Sequence, residues 1–312
     1  MLLLTQAARC GASAEQDTLK QGGVTIEHSR HQRFLAERCL QTIAETRPRL
    51  KEELGLALPD EFTVKLFTST QAYAQFVAGR VHPHSWGVAF PYAGLIAVNA
   101  SPSALATDKE LAGTLRHELV HLAIGRLEQD SGRGVPLWFN EGLAVWFSRQ
   151  NLLELPRILK RAAVTGALIE LQDLQLRFPT ERAALSLAYE QCESVVGYLA
   201  RKAGPGVFAR VFERMRGGES FEEALRGATG GCSLEELQRR WRSSLKAGFW
   251  DWLGILSGIS LFMVLAMLLV MAYLIMKWRA RRTLRRWAEE EGEEYEPRRR
   301  ERAEVDEDFD HW

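Results

Sequence analysis

His117-Glu118-Leu119-Val120-His121 sets two imidazoles four residues apart with a carboxylate beside the first. On a helix, positions i and i+4 stack on one face, so His117 and His121 can offer two ring nitrogens to one cation. Catalytic zinc typically takes three protein ligands from His, Glu or Cys and keeps a fourth position for water, and two His with one Glu is an established set. Asn140-Glu141 follows closely enough to close the same site. Bound zinc lowers the pKa of water from about 15.7 to about 7 and polarises a carbonyl. Glu118, next to the pair, is placed as the general base that takes the water proton and hands it to a leaving amine.

These residues need elements to hold them. Thr107-Asp108-Lys109-Glu110 matches the S/T-x-x-E capping box, which predicts a helix from there to about Ile124, with Gly125 as its stop. At 100° per residue, Leu111, Leu115, Leu119 and Leu122 form one stripe, while Thr114, His117, Glu118 and His121 share the neighbouring face. One face packs and the other opens on a cleft. A Gly-, Asp- and Arg-containing loop, Gln129 to Gly134, leads to Val135-Pro136 and a second helix. In Leu137 to Phe147 a single carboxylate, Glu141, sits among eight apolar or aromatic residues. Burying it there is costly unless it is paired or bound to metal. A five-residue match alone is weak; the capped helix, the divided faces and the buried Glu141 are three independent supports.

The rest of the chain divides into a mixed half and a helical half. Val24, Ile26 and His28 alternate as in a strand, and Arg33 to Leu54 carries Phe34, Leu35, Leu40, Ile43 and Leu50 at helical spacing. Phe62 to Phe67 alternates, Ser69 or Thr70 can cap a short helix through Val77, and Trp86–Phe90 and Leu95–Val98 flank the turn-rich Pro91-Tyr92-Ala93-Gly94 as a hairpin. Leu152 to Leu176 is expected to form helices and turns, followed by helices over Leu185–Ala203, Val207–Arg216, Ser220–Arg226 and Ser233–Leu245. Ser220 to Glu223 and Ser233 to Glu236 are two further capping boxes. The expected fold class is α+β, with a mixed sheet and helices N-terminally and a helical C-terminal half.

With 40 basic and 40 acidic residues the formal net charge is zero, so the total gives no sign of a nucleic-acid partner. Cys10, Cys39, Cys192 and Cys232 are too scattered for a disulfide framework; a Cys192–Cys232 bridge and buried free thiols are both open. Leu253 to Met276 is a run of 24 residues without a charge, long enough at about 1.5 Å per residue to cross a hydrocarbon core of about 30 Å. Trp250, Trp252, Tyr273 and Trp278 flank it like interfacial belts. Lys277, Arg279, Arg281, Arg282, Arg285 and Arg286 follow closely, which places the tail 277–312 in the cytoplasm and the N-terminal part outside. That topology requires export. Residues 1–14, with Leu2-Leu3-Leu4 and a cleavage-like Ala12-Ser13-Ala14, are expected to be the end of a truncated signal peptide. His82-Pro83-His84 reads as a loop rather than a second metal site.

His117 to His121 together with Asn140-Glu141-Gly142-Leu143-Ala144 resembles the gluzincin zinc metallopeptidases, the thermolysin-like group also called peptidase MA, and within it the aminopeptidase-like and bacterial MA-like branches. The resemblance runs from about Phe62 to Leu245. It implies a zincin-like domain over residues 15–248, zinc (Zn2+) held by His117, His121 and Glu141, Glu118 as catalytic base, and a peptide or protein substrate. Ala188-Tyr189-Glu190 before Ser194 to Leu199 is similar to the helical half of those domains, which makes Tyr189 the candidate oxyanion donor, with packing as the alternative; Tyr198 reads as core. No Gly-x-Met-Glu-Asn, the amine-holding motif of related aminopeptidases, precedes the helix. Trp86 to Phe90 is instead a candidate edge strand for pairing an extended peptide, as an endopeptidase would use. The expectation is a membrane-anchored zinc peptidase; its rival is a catalytically silent peptide-binding or scaffolding ectodomain.

Overall fold

The computed structural model describes residues 16–77, 85–102, 107–148, 157–204, 206–245 and 263–283. Residues 1–14, His82-Pro83-His84, the first part of the 152–176 segment, residues 253–262 of the apolar run and residues 284–312 of the tail lie outside them. The chain divides into two compact units, Met1–Lys246 and Ala247–Trp312.

The first unit begins with strands β1 (Gln16–Gln21) and β2 (Val24–Ser29), then helix α1 (Arg33–Leu54), strand β3 (Phe62–Phe67) and helix α2 (Thr70–Val77). Strands β4 (Gly87–Phe90) and β5 (Leu95–Asn99) form the expected hairpin, with Gly87 opposite Val98 and Phe90 opposite Leu95. The sheet order is β1-β2-β3-β5-β4: β2, β3 and β5 are parallel, and the outer strands β1 and β4 are antiparallel to their neighbours. Strand β4 is therefore an edge. Strand β1 had no sequence signal, because Gln16 to Gln21 is exposed along nearly its whole length and carries no apolar alternation. Its link to β2 is the two-residue turn Gly22-Gly23, both at positive φ, which is the backbone such tight hairpins demand.

Alternation explains the packing of the sheet. Val24, Ile26, Phe62, Val64, Ile96 and Val98 point to one face and join the main core with α1 and the helical half. On the other face Val88 and Ala97 meet Tyr73 and Val77 of α2, which Ser69 caps by accepting the Ala72 N–H at 3.1 Å. Helix α1 has the expected bounds, although Phe34 within its apolar spacing is 60% exposed.

Helix α3 (Asp108–Ser131) starts at the expected capping box: Thr107 Oγ1 accepts the Glu110 N–H at 3.2 Å and Glu110 Oε2 accepts the Thr107 N–H at 2.9 Å. It does not stop at Gly125. It runs on to Gly132, which takes the left-handed φ of 65°. Gly125 is instead where the β4–β5 turn rests on the helix, because a Cβ there would collide with the ring of Pro91. Helices α4 (Leu137–Ser148), α5 (Arg157–Thr165), α6 (Arg182–Ala203), α7 (Val207–Arg216), α8 (Phe221–Ala228) and α9 (234–245) complete the unit. The capping boxes at Ser220 and Ser233 both engage their helices, through the Glu223 and Glu236 N–H groups. Cys39 and Cys192 are buried free thiols and Cys232 is a half-buried one, so no 192–232 bridge forms.

Helix α4 packs against α6 at Gly142. A Cβ on Gly142 would lie 2.5 Å from the main-chain oxygen of Cys192, so the two helix backbones approach closely there. Gly142→Ala is expected to lower stability by about 1–3 kcal/mol through overpacking, even after a gain of up to about 1 kcal/mol in helix propensity. Chemical denaturation of the full chain measures it, and an unchanged midpoint would show that the contact yields.

In the second unit, helix α10 (Met263–Thr283) has 21 described residues and is long and apolar enough to cross a membrane. Its apolar side chains are exposed all round, from Met263 to Trp278. The helix continues past Met276, so Lys277, Arg279, Arg281 and Arg282 lie on its last turns.

Candidate metal centre

Leu111, Leu115, Leu119 and Leu122 are all buried in the core, which fixes the roll of α3 and turns His117 and His121 toward a cleft. On α4, Trp138, Phe139, Leu143, Ala144 and Phe147 are buried and present Glu141 to the same cleft. The three side chains converge. His117 Nε2 and His121 Nε2 lie 3.0 Å apart, and Glu141 Oε2 is 3.7 Å and 3.6 Å from them. Tetrahedral zinc with bonds of about 2.0–2.1 Å needs ligand-to-ligand edges of about 3.3–3.4 Å, so this donor triangle fits that ion.

Asn140, to which sequence reading gave no role, orients one ligand. His121 Nδ1–H donates to Asn140 Oδ1 at 2.7 Å, which fixes the tautomer and leaves the Nε2 lone pair facing Glu141. His117 Nδ1 is buried with no hydrogen-bond partner among the described residues. Asn140→Ala should therefore weaken zinc binding by about 10–100-fold, read by competition with a chelating dye. Undiminished affinity would mean that packing alone holds the His121 ring.

Glu118 is 5% exposed and lies against the edge strand. Gly87 makes room for it: a Cβ there would be 2.8 Å from Glu118 Cγ and Oε1 and 2.9 Å from Thr114 Cγ2. Burial pushes the Glu118 carboxyl up to about 7; His121 and an N–H from Ala89 oppose the shift, and Glu141 adds to it. Glu141 is also pushed up by burial, but the charges of His121 and His117 and a hydrogen bond from His117 outweigh that and hold it below the usual carboxylate range. Two carboxylates thus share the site with opposite tendencies.

The cleft holds about 400 Å³. One wall is β4 with Pro91, the floor is α3 with His117, Glu118, His121 and Glu128, and the other wall is Leu137, Asn140 and Glu141 of α4 with Phe178 and Tyr189. Tyr189 stands edge-on to Phe178, ring centroids 5.0 Å apart. Its phenol is pushed above the ordinary tyrosine range by burial first and then by the charges of Glu141 and Glu118. Tyr198, by contrast, is buried in the core. All five sequence-derived site residues therefore meet at one cleft, and Gly87, Ala89 and Asn140 join them.

The peptidase MA superfamily profile matches residues 42–247, which takes in the sheet from β3 onward, both ligand-bearing helices and the helical half. The chain belongs to the peptidase MA superfamily. Leucine aminopeptidase 2 of Emericella nidulans is 28% identical over 156 residues, covering 44% of this chain and 25% of the relative. The chain thus spans about a quarter of that protein's length. Membership of this superfamily implies zinc, and the His117, His121 and Glu141 donors lie close enough together to hold a metal ion.

Proposed function

We propose that this protein is a membrane-anchored zinc metallopeptidase, probed best at the cleft where two imidazole nitrogens and one carboxylate oxygen converge beside a buried second carboxylate. That juxtaposition carries the reading. His117, His121 and Glu141 would hold zinc, which supplies the Lewis acidity that acidifies water and polarises a carbonyl. Glu118, buried beside the triad, accepts the proton of the attacking water and returns it to the amine that leaves. Tyr189, kept protonated, donates its hydroxyl to the carbonyl oxygen as negative charge develops.

The edge strand favours internal cleavage. Trp86 O accepts the Asn99 N–H at 2.8 Å, so by antiparallel alternation Trp86, Val88 and Phe90 turn their polar groups to β5, while Gly87 and Ala89 turn theirs to the cleft. An extended peptide can add to that edge without needing a free terminus. The name of the fungal relative points to aminopeptidase action, but this chain has no Gly-x-Met-Glu-Asn before α3 to hold an amine.

Residues 15–248 are assigned to the peptidase domain, 253–276 to a single span, and 277–312 to a cytoplasmic tail. The run of cations at Lys277, Arg279, Arg281 and Arg282 supports that orientation. The test uses the full chain in detergent micelles, with zinc stoichiometry by elemental analysis and cleavage of a peptide library. One zinc per chain and internal cleavage are expected; bound zinc without cleavage would favour a silent peptide-binding ectodomain. Protease protection of sealed vesicles reads the topology, and an accessible tail on the periplasmic or extracellular side would reverse it.

A further inference from the structure

The extension of α3 past Gly125 brings one more carboxylate into the cleft. Glu128 lies seven residues beyond His121, about 10.5 Å further along the helix and within about 20° of the same stripe. It lines the cleft together with Pro91 and Leu137. Its Oε1 accepts the Val135 N–H at 2.7 Å, which pins the carboxylate and leaves Oε2 for another partner.

No lysine or arginine pairs with it among the described residues. Arg126, two residues away, is engaged by Asp60, Asp130 and the carbonyl of Leu58. Arg133, in the following loop, acts electrostatically on Glu223. Among the described residues Glu128 thus lines the cleft without a Lys or Arg partner.

We propose that Glu128 is the specificity-determining residue of this cleft and receives a cationic group of the substrate peptide. The inference rests on the peptidase reading of the same cleft. A lysine or arginine stem can lie along Pro91 and Leu137 and bring its charge to Oε2. An extended chain advances about 3.4 Å per residue, so a free α-amine two or three residues from the scissile bond reaches the same place. Burial pushes the Glu128 carboxyl up, while the Val135 N–H and the His121 charge act against the shift.

The test compares peptides carrying lysine or norleucine at each position, each with a free or an acetylated N-terminus, on the full chain and on Glu128→Gln. Glutamine keeps an acceptor for the Val135 N–H and removes only the charge. Two readouts are used: kcat/KM, and peptide affinity by fluorescence anisotropy on zinc-loaded chain carrying Glu118→Gln, which needs no turnover. The expected result is a preference for the cationic peptide on the order of ten- to a hundredfold that falls to near unity in Glu128→Gln. Loss of preference on lysine replacement assigns the charge to a side chain, and loss on acetylation assigns it to the α-amine. A preference that survives Glu128→Gln, or equal slowing of charged and neutral peptides, overturns the proposal. Charge-dependent binding without any cleavage would sink the peptidase reading while leaving Glu128 in its role.

Discussion

Glu118→Gln is expected to lower kcat by about 10²–10⁴ with zinc content unchanged. Glutamine has the shape of glutamate and can still accept the Ala89 N–H, and the space opposite Gly87 is the same, so the triad keeps its geometry. On the proposed mechanism, what is lost is the proton acceptor. A second readout separates this from misfolding. In the metal-free chain the folded-state pKa of Glu118 is raised from 4.5 to about 7, so the native state binds its proton more tightly than the unfolded state does. The stability tied to that proton is fully present below about pH 4.5 and is lost as pH rises through about 7. Substitution by Gln removes this component of the pH slope, so the variant should melt relatively higher than the parent at neutral and alkaline pH. Turnover within threefold of the parent would remove Glu118 from the reaction.

What the chain reveals by inspection depends on how local the cause is. The start of α3 is legible because Thr107 and Glu110 satisfy each other across three residues. The ligand set is legible because helical spacing joins His117 to His121 and because Glu141 is a lone charge among residues that must be buried. Gly125 misleads, since the same residue type ends helices and admits a close neighbour; its reason is Pro91, a residue distant in sequence that no local pattern couples to it. Gly87 and Ala89 are illegible for the same cause. Their value lies in what stands opposite, the Glu118 carboxylate, and that depends on the sheet being assembled in the order that leaves β4 at the edge. Glu128 follows from the correction at Gly125, because a helix stopping there would have left it in a loop.

Tyr189→Phe is the second large effect, an expected fall of about 10²–10³ in kcat with little change in KM, zinc content or melting temperature. Phenylalanine keeps the edge-on contact with Phe178, so the α6 wall of the cleft stays in place and only the hydroxyl goes. A tyrosine present for packing would give the opposite result, full activity in the Phe variant. The environment argues for a donor. In the metal-free chain burial, Glu141 and Glu118 all oppose ionisation of the phenol. A hydroxyl kept neutral beside two carboxylates costs little in the ground state and gains as negative charge builds on the substrate oxygen. On the proposed role of Tyr189, that differential rather than tight substrate binding would raise kcat, so the KM of Tyr189→Phe should barely move.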